Sequence, residues 1–200
     1  MKSWLPGRRA LLMTGMALLV AGCSSPPTRY YVLAPMPESA SAAGREIAVG
    51  LGPVELPDYL DRPQIVTREG QNELNLAEFD QWGEPLHDNV AQVLAENLAA
   101  LLPSRKVAVY PWKRSNPVEV QVSVKVIHFE RREGGDALLS VRWTLADASG
   151  QERLSRESRY SERASGDGYG ATVAAMNRAL LRFSRDLAGA VRENQGAAPH

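Results

Sequence analysis

Few side chains in this chain could carry out chemistry. It has three histidines, His87, His128 and His200, and one cysteine, Cys23. None of the histidines sits in a helical pair with another histidine, or with an acid at metal spacing, so no zinc site is expected. His87 reads as a surface residue of a helix, His128 as a structural residue at a strand end, and His200 as part of the tail. There is no Gly-x-Ser-x-Gly to present a nucleophile. Residues 164–170, A-S-G-D-G-Y-G, are glycine-rich ahead of a helix. They lack the lysine of a phosphate loop and the glycine spacing of a dinucleotide site. They read as an entry loop, with an anion site at the helix N-terminus as the alternative. No catalytic constellation and no cofactor are expected. That leaves Cys23, which cannot form an intrachain disulfide and makes a poor start to a metal site.

Its surroundings account for it. Lys2, Arg8 and Arg9 precede an uncharged apolar run, residues 10–22, which ends Val20-Ala21-Gly22-Cys23. A basic region followed by an apolar run of this length is a secretory signal. The run is too short for a spanning helix, which needs about 20 apolar residues. Its end resembles the bacterial lipobox, an aliphatic residue and two small ones before a cysteine. The resemblance implies acylation of Cys23 and cleavage before it. The expected organisation is a signal peptide at 1–22, the lipidated Cys23 with a Ser/Pro-rich tether at 23–29, one domain at 30–192 and a disordered tail at 193–200. Two or more acyl chains anchor stably where one does not. Ser24, rather than Asp, follows the cysteine, which points to the outer membrane with the domain facing the periplasm.

Without Lys2, Arg8 and Arg9 the basic residues fall from 23 to 20 against 23 acidic ones. This balance argues against a nucleic-acid partner. With no cysteine pair in an oxidising compartment, the fold must rest on its core.

The elements that would position any site follow from periodicity. Tyr30-Tyr31-Val32-Leu33 and residues 46–54 read as strands, the second with a bulge or edge position at Gly50, Gly52 and Pro53. Residues 65–68 and 73–76 read as a hairpin. Leu86, Val90, Val93, Leu94, Leu98, Leu101 and Leu102 recur at three and four, a helix over about 84–102. Asp88, Gln92, Glu96 and Asn97 are assigned to its wet face. Residues 106–110 read as a short strand. Val118, Val120, Val122, Val124 and Val126 alternate with Glu119, Gln121, Ser123 and Lys125, a strand with one buried face. Ile127 and Phe129 break that period, which predicts a bulge or a strand end covered on both faces. A strand over 139–145 and an exposed strand over 152–161 follow, then a helix over about 170–192 with an apolar stripe from Val173 to Val191. The fold class expected is α+β, a mostly antiparallel sheet with two amphipathic helices packed on one face. Arg142, Arg153, Arg156, Arg159 and Arg163, interleaved with Glu152, Glu157 and Glu162, read as a solvated face or a polar protein-binding face.

One stretch stands out. Residues 54–68, V-E-L-P-D-Y-L-D-R-P-Q-I-V-T-R, carry Tyr59 and Leu60 in what the prolines mark as a loop. Asp61-Arg62-Pro63 is expected to turn, with the Asp61 carboxylate taking local N–H groups. Either Tyr59 and Leu60 tuck onto the core, or this aromatic- and Arg-bearing loop is an interface hot spot. The run Gly52-Pro53-Val54-x-Leu56-Pro57-x-Tyr59-Leu60-Asp61-Arg62-Pro63-Gln64-Ile65-Val66 resembles the signature of the ABC-type transport auxiliary lipoproteins. The lipobox, Tyr30-Tyr31-Val32-Leu33 and Phe79-x-x-Trp82-x-Glu84-Pro85-Leu86 agree, with Gly83 where alanine is more usual. The resemblance implies a non-enzymatic outer-membrane lipoprotein that docks a periplasm-spanning MCE-domain (PqiB-like) protein. Through it the chain would work with inner-membrane transporter components, in lipid transport that keeps the envelope intact. Tyr59, Leu60, Asp61, Arg62, Pro63 and Gln64 are the candidate partner-binding residues, and a homo-oligomer is compatible with ring-forming partners. The alternatives are a periplasmic lipid-binding carrier lipoprotein, and an envelope hydrolase whose nucleophile and base are not found.

Overall fold

The computed structural model describes residues 26–35, 45–103, 107–112 and 117–196. Cys23, the signal segment and residues 197–200 lie outside the described residues. The valine alternation becomes β6 (Val120–Arg132), whose Val120, Val122, Val124 and Val126 are all buried. The expected bulge falls between Val126 and His128, where the register of β6 against β7 (Asp136–Asp147) shifts. Beyond it Phe129 takes the core face and Glu130 the opposite one.

Eight strands form one sheet. The others are β1 (Arg29–Tyr31), β2 (Val49–Glu55), β3 (Gln64–Glu69), β4 (Glu73–Trp82), β5 (Val107–Val109) and β8 (Glu152–Arg163). On one side of β6 lies β7, then β8. On the other side, β2 pairs with the first half of β6 and β3 with its last residues, Thr67 opposite Arg131 and Arg68 opposite Arg132. β5 flanks β2, while β4 and then β1 flank β3.

The sheet is therefore mixed and not mostly antiparallel as expected. β1–β4, β2–β5, β2–β6 and β3–β6 are parallel pairs, against three antiparallel ones, β3–β4, β6–β7 and β7–β8. Every antiparallel pair joins strands successive in the chain, whereas every parallel pair joins strands with at least two others between them, α1 (Leu86–Leu101) lying between β4 and β5. Parallel neighbours need such long connections. Alternation along a strand reveals a buried face but not the neighbour or its direction. The glycine-rich β2 is bulged, with a register shift between Leu51 and Val54, but it is an interior strand.

Both helices pack on the sheet and on each other: α1 against β2 and β5, and α2 (Tyr169–Gly196) against β6, β7 and β8. The helix α2 continues four residues past the expected end at Arg192. Val173, Met176, Leu180, Phe183, Leu187 and Val191 are all buried. Phe183 packs against Trp143 and Tyr160, with ring centroids 6.3 and 6.0 Å away. Asn97 is not on the wet face. It is 2% exposed between the helices, where its Nδ2 donates to Ser184 Oγ at 3.2 Å. That bond is what makes burial of the amide tolerable.

The strand β8 pairs only with β7 among the described residues. Three of its charges form ion pairs across the surface, Glu157 with Arg142 at 3.2 Å, Glu162 with Arg182 at 2.9 Å and Arg153 with Asp147 at 2.7 Å. Such exposed pairs contribute under about 1 kcal/mol each. At the β7–β8 turn, Asp147 accepts from Ser149, Arg153 and Gln151, which hold its carboxyl down to about 2.

Candidate functional site

The connection from β2 to β3, residues 56–63, is the stretch singled out above. Because β2 and β3 share one side of β6 end to end, this connection must leave the sheet and rejoin it. Its turn is closed by main-chain bonds, Leu60 N to Pro57 O at 2.9 Å, Asp61 N to Asp58 O at 3.2 Å and Arg62 N to Leu60 O at 2.9 Å. The backbone carbonyls thus do what the Asp61 carboxylate was expected to do. At the exit, Trp82 N donates to Pro63 O at 2.7 Å, tying the loop to β4.

Two side chains fix the loop from beneath. Leu60 is 2% exposed and belongs to the core. Tyr59 donates its hydroxyl to Glu130 Oε2 at 2.8 Å and reaches Ile127 O at 3.3 Å. The other Glu130 oxygen accepts from Arg68 Nε at 2.7 Å and meets His128 Nδ1 at 3.0 Å. Phe129 N donates to Oε2 at 2.8 Å. Glu130 is fully buried, and Arg68 lies with its guanidinium 5.4 Å from the Tyr59 ring centre. Burial, with Glu130 beside it, pushes the Tyr59 hydroxyl far above its ordinary value, so it stays a donor. The hydrogen bond to Glu130 likewise raises Arg68.

The six candidate residues therefore divide. Tyr59 and Leu60 turn inward and hold the loop. Asp61 and Pro63 are exposed, and Arg62 and Gln64 are half-buried. Arg62 Nε is shut off from solvent with no hydrogen-bond partner. Arg68 and Glu130 were missed at the sequence level. Each reads as an ordinary strand charge, and only the pairing of β3 with the end of β6 brings them together.

The first part of the same motif lines a groove of about 740 Å³ between β2, the start of α1 and the segment after β5. Leu51, Val54, Leu56, Ala91 and Val109 form its apolar wall. His87 and Asp88 stand at the rim, 3.1 Å apart. Gly52 lies in the left-handed region, and a Cβ there would sit 2.5 Å from Tyr110 Cβ. Tyr110 meets Trp112 edge-on at 5.5 Å.

A third cluster holds the N-terminal strand. Asp80, 5% exposed on β4, accepts from Arg29 and from the Tyr31 hydroxyl at 2.8 Å. Leu33 N donates to Asn89 Oδ1 at 2.6 Å, and Asn89 returns a bond to Leu33 O. Burial acts to raise the Asp80 carboxyl, but the bonds from Arg29 and Tyr31 outweigh it and hold it below the usual range. A carboxyl lowered on folding stabilises the native state at pH above its unfolded value near 4, and that contribution disappears as pH falls through the folded value. Acid titration should therefore unfold Asp80→Asn with a shallower pH dependence below about pH 4 than wild type. Identical acid-unfolding curves would show that Asp80 contributes no such linkage.

The model of the family described as the ABC-type transport auxiliary lipoprotein component matches residues 31–188. The chain belongs to that family. The match takes in the motif loop, the groove and all of the Asp80 cluster but Arg29. The Escherichia coli intermembrane transport lipoprotein PqiC is 29% identical over 150 residues, which cover 72% of this chain and 74% of that one. Its Shigella flexneri counterpart matches equally. A crystal structure of a Xanthomonas campestris protein superposes with a TM-score of 0.69 at 17% identity, covering 86% of this chain and all of that one. Another, of an uncharacterized protein, gives 0.68 at 24% identity, covering 83% and 99%. At these identities the two structures attest the fold. Among the described residues no helix is long and apolar enough to cross a membrane, and no group of His, Cys and acids could hold a metal.

Proposed function

We propose that this chain is the outer-membrane lipoprotein subunit of an MCE-type intermembrane lipid transport system. Cys23 holds it to the periplasmic face of the outer membrane. The surface of the motif loop docks the periplasm-spanning, PqiB-like protein, and through it the inner-membrane components. The observation that carries the reading is the construction of residues 56–63. A charged network buried beneath the loop presets its shape, which lowers the ordering cost of binding. The family, and a relative in Escherichia coli named as an intermembrane transport lipoprotein, supply the transport context.

Within the loop, Arg62 is the docking residue. Its main-chain amide closes the turn, and its buried side-chain Nε–H lacks an acceptor. Turning outward to a partner's carboxylate or carbonyl would satisfy a donor that costs about 1–3 kcal/mol while unpaired. Arg62→Ala should thus weaken partner binding by about 2 kcal/mol, near 30-fold. Its folding stability should stay within about 0.5 kcal/mol of wild type.

The test is affinity purification of the acylated protein from envelopes in mild detergent, with mass spectrometry of what accompanies it. An MCE-domain protein in stoichiometric amount, lost with Arg62→Ala, supports the reading. Co-purification at wild-type levels from the folded variant would move docking elsewhere. The carrier alternative looks to the groove between β2 and α1. Stoichiometric phospholipid without a protein partner would favour it.

A further inference from the structure

The side chains of the first strand divide sharply. Tyr31 turns inward to Asp80. Tyr30 and Val32, on either side of it, are 67% and 52% exposed, two of the three most exposed large hydrophobic residues among those described. Alternation in an extended segment puts them on one side. Gly83 backs them closely, since a Cβ there would lie 3.2 Å from Val32 Cγ1 and 3.9 Å from Tyr30 Cβ. Gly83 N also donates to Tyr31 O at 2.7 Å. The patch is therefore tied to the β4–α1 turn on one side. β1 pairs only with β4 among the described residues.

The length of chain before β1 says what covers this patch. Ser24 to Thr28 separate Cys23 from Arg29. Fully extended, that segment spans only about 20 Å. Once Cys23 is acylated, β1 cannot leave the neighbourhood of the bilayer surface. Tyrosine suits that boundary, with a ring for the apolar side and a hydroxyl for the wet side.

We propose that Tyr30 and Val32 rest in the headgroup region of the membrane, a protein contact beside the lipid anchor that fixes how the domain stands. This rests on the anchored reading of Cys23. A consequence follows for docking. Tyr30 is opposite Gln81, and Gln81 opposite Gln64. The end of the docking loop is then two strands, about 10 Å, from the membrane contact. A partner bound there meets the subunit close to the bilayer.

The test uses the full-length acylated protein in vesicles of phosphatidylethanolamine with phosphatidylglycerol. Cys23 is the only cysteine, so Val32→Cys gives one free thiol for an NBD label once Cys23 carries lipid. Tyr30→Cys serves as a second position. Leu76→Cys, about 17 Å along β4 from Gln81, is the exposed control. Spin-labelled lipids with the nitroxide near the headgroup should remove most emission at positions 30 and 32 and leave position 76 unchanged. Equal emission at all three, with Cys23 acylated by mass, overturns the contact and leaves the anchor intact. A blue-shifted, unquenched label whose emission varies with protein density would mean that a second copy covers the patch, which also overturns it. Label found on Cys23 itself would remove the anchor and this inference together.

Discussion

Arg68→Ala is expected to destabilise the fold by about 3 kcal/mol. The carboxylate of Glu130 is fully buried, and Arg68, 16% exposed, is the cation that balances it. With Arg68 gone, the carboxylate keeps the bonds from Tyr59 and Phe129 and the contact with His128. Those donors do not replace a full positive charge, and an uncompensated buried charge is what makes breaking such a pair costly. The Tyr59 ring also loses its cation, a loss of about 0.5–1 kcal/mol. A denaturant titration read by far-UV circular dichroism measures the change. The double variant Arg68→Ala with Glu130→Leu should recover most of the loss, because it removes the orphaned charge. If the single variant unfolds like wild type, the pair does not hold the loop. If the double variant is as weak as the single one, packing rather than charge is responsible.

This prediction bears on docking, because Tyr59 and Arg68 share one carboxylate. Loosening that carboxylate loosens residues 57–62 without touching Asp61, Arg62 or Pro63. Hydrogen exchange at Leu60 and Arg62, whose amides close the turn, should quicken in Arg68→Ala ahead of global unfolding.

Local periodicity carried much of the fold. The valine alternation of β6, its bulge after Val126, the hairpin of β3 and β4 and both helical stripes could all be read along the chain, because each is set by neighbours two to four residues away. What could not be read depends on pairing at long range. The parallel junctions of β2 and β3 with β6 join residues some 60 to 70 positions apart, and no pattern within either strand encodes them. The same gap hid the core of the site. Nothing near Glu130 in the chain marks it as buried; the loop and Arg68 that cover it come from β3 and the segment before it. Asn97 looked like a wet-face amide until α2 supplied Ser184. The motif itself was legible as a unit, but not its division of labour. Tyr59 was read either as tucking onto the core or as an interface aromatic; its hydroxyl finds a buried carboxylate, and Asp61 and Pro63 are the residues left exposed.

Gly52→Ala is the second large effect, and it separates strain from collision. Gly52 has φ of 129°, where a side chain is strained whatever the space, at a cost of about 1–3 kcal/mol. The added Cβ would also lie 2.5 Å from Tyr110 Cβ. That atom is fixed to the backbone and cannot rotate away. Tyr110 N donates to Leu51 O at 2.8 Å, so relieving the contact means pulling the end of β5 from β2 and opening the groove. The summed loss should exceed about 3 kcal/mol. Gly70→Ala is the matched comparison, since Gly70 also has positive φ, 66°, but nothing lies within 4 Å of its would-be Cβ. It should cost about 1 kcal/mol, the price of the left-handed backbone alone. The difference between the two variants measures how tightly β5 and Tyr110 are held against β2. A Gly52→Ala loss no larger than that of Gly70→Ala would mean that β5 yields freely, and the groove between β2 and α1 would then be a soft surface that reshapes around whatever enters it.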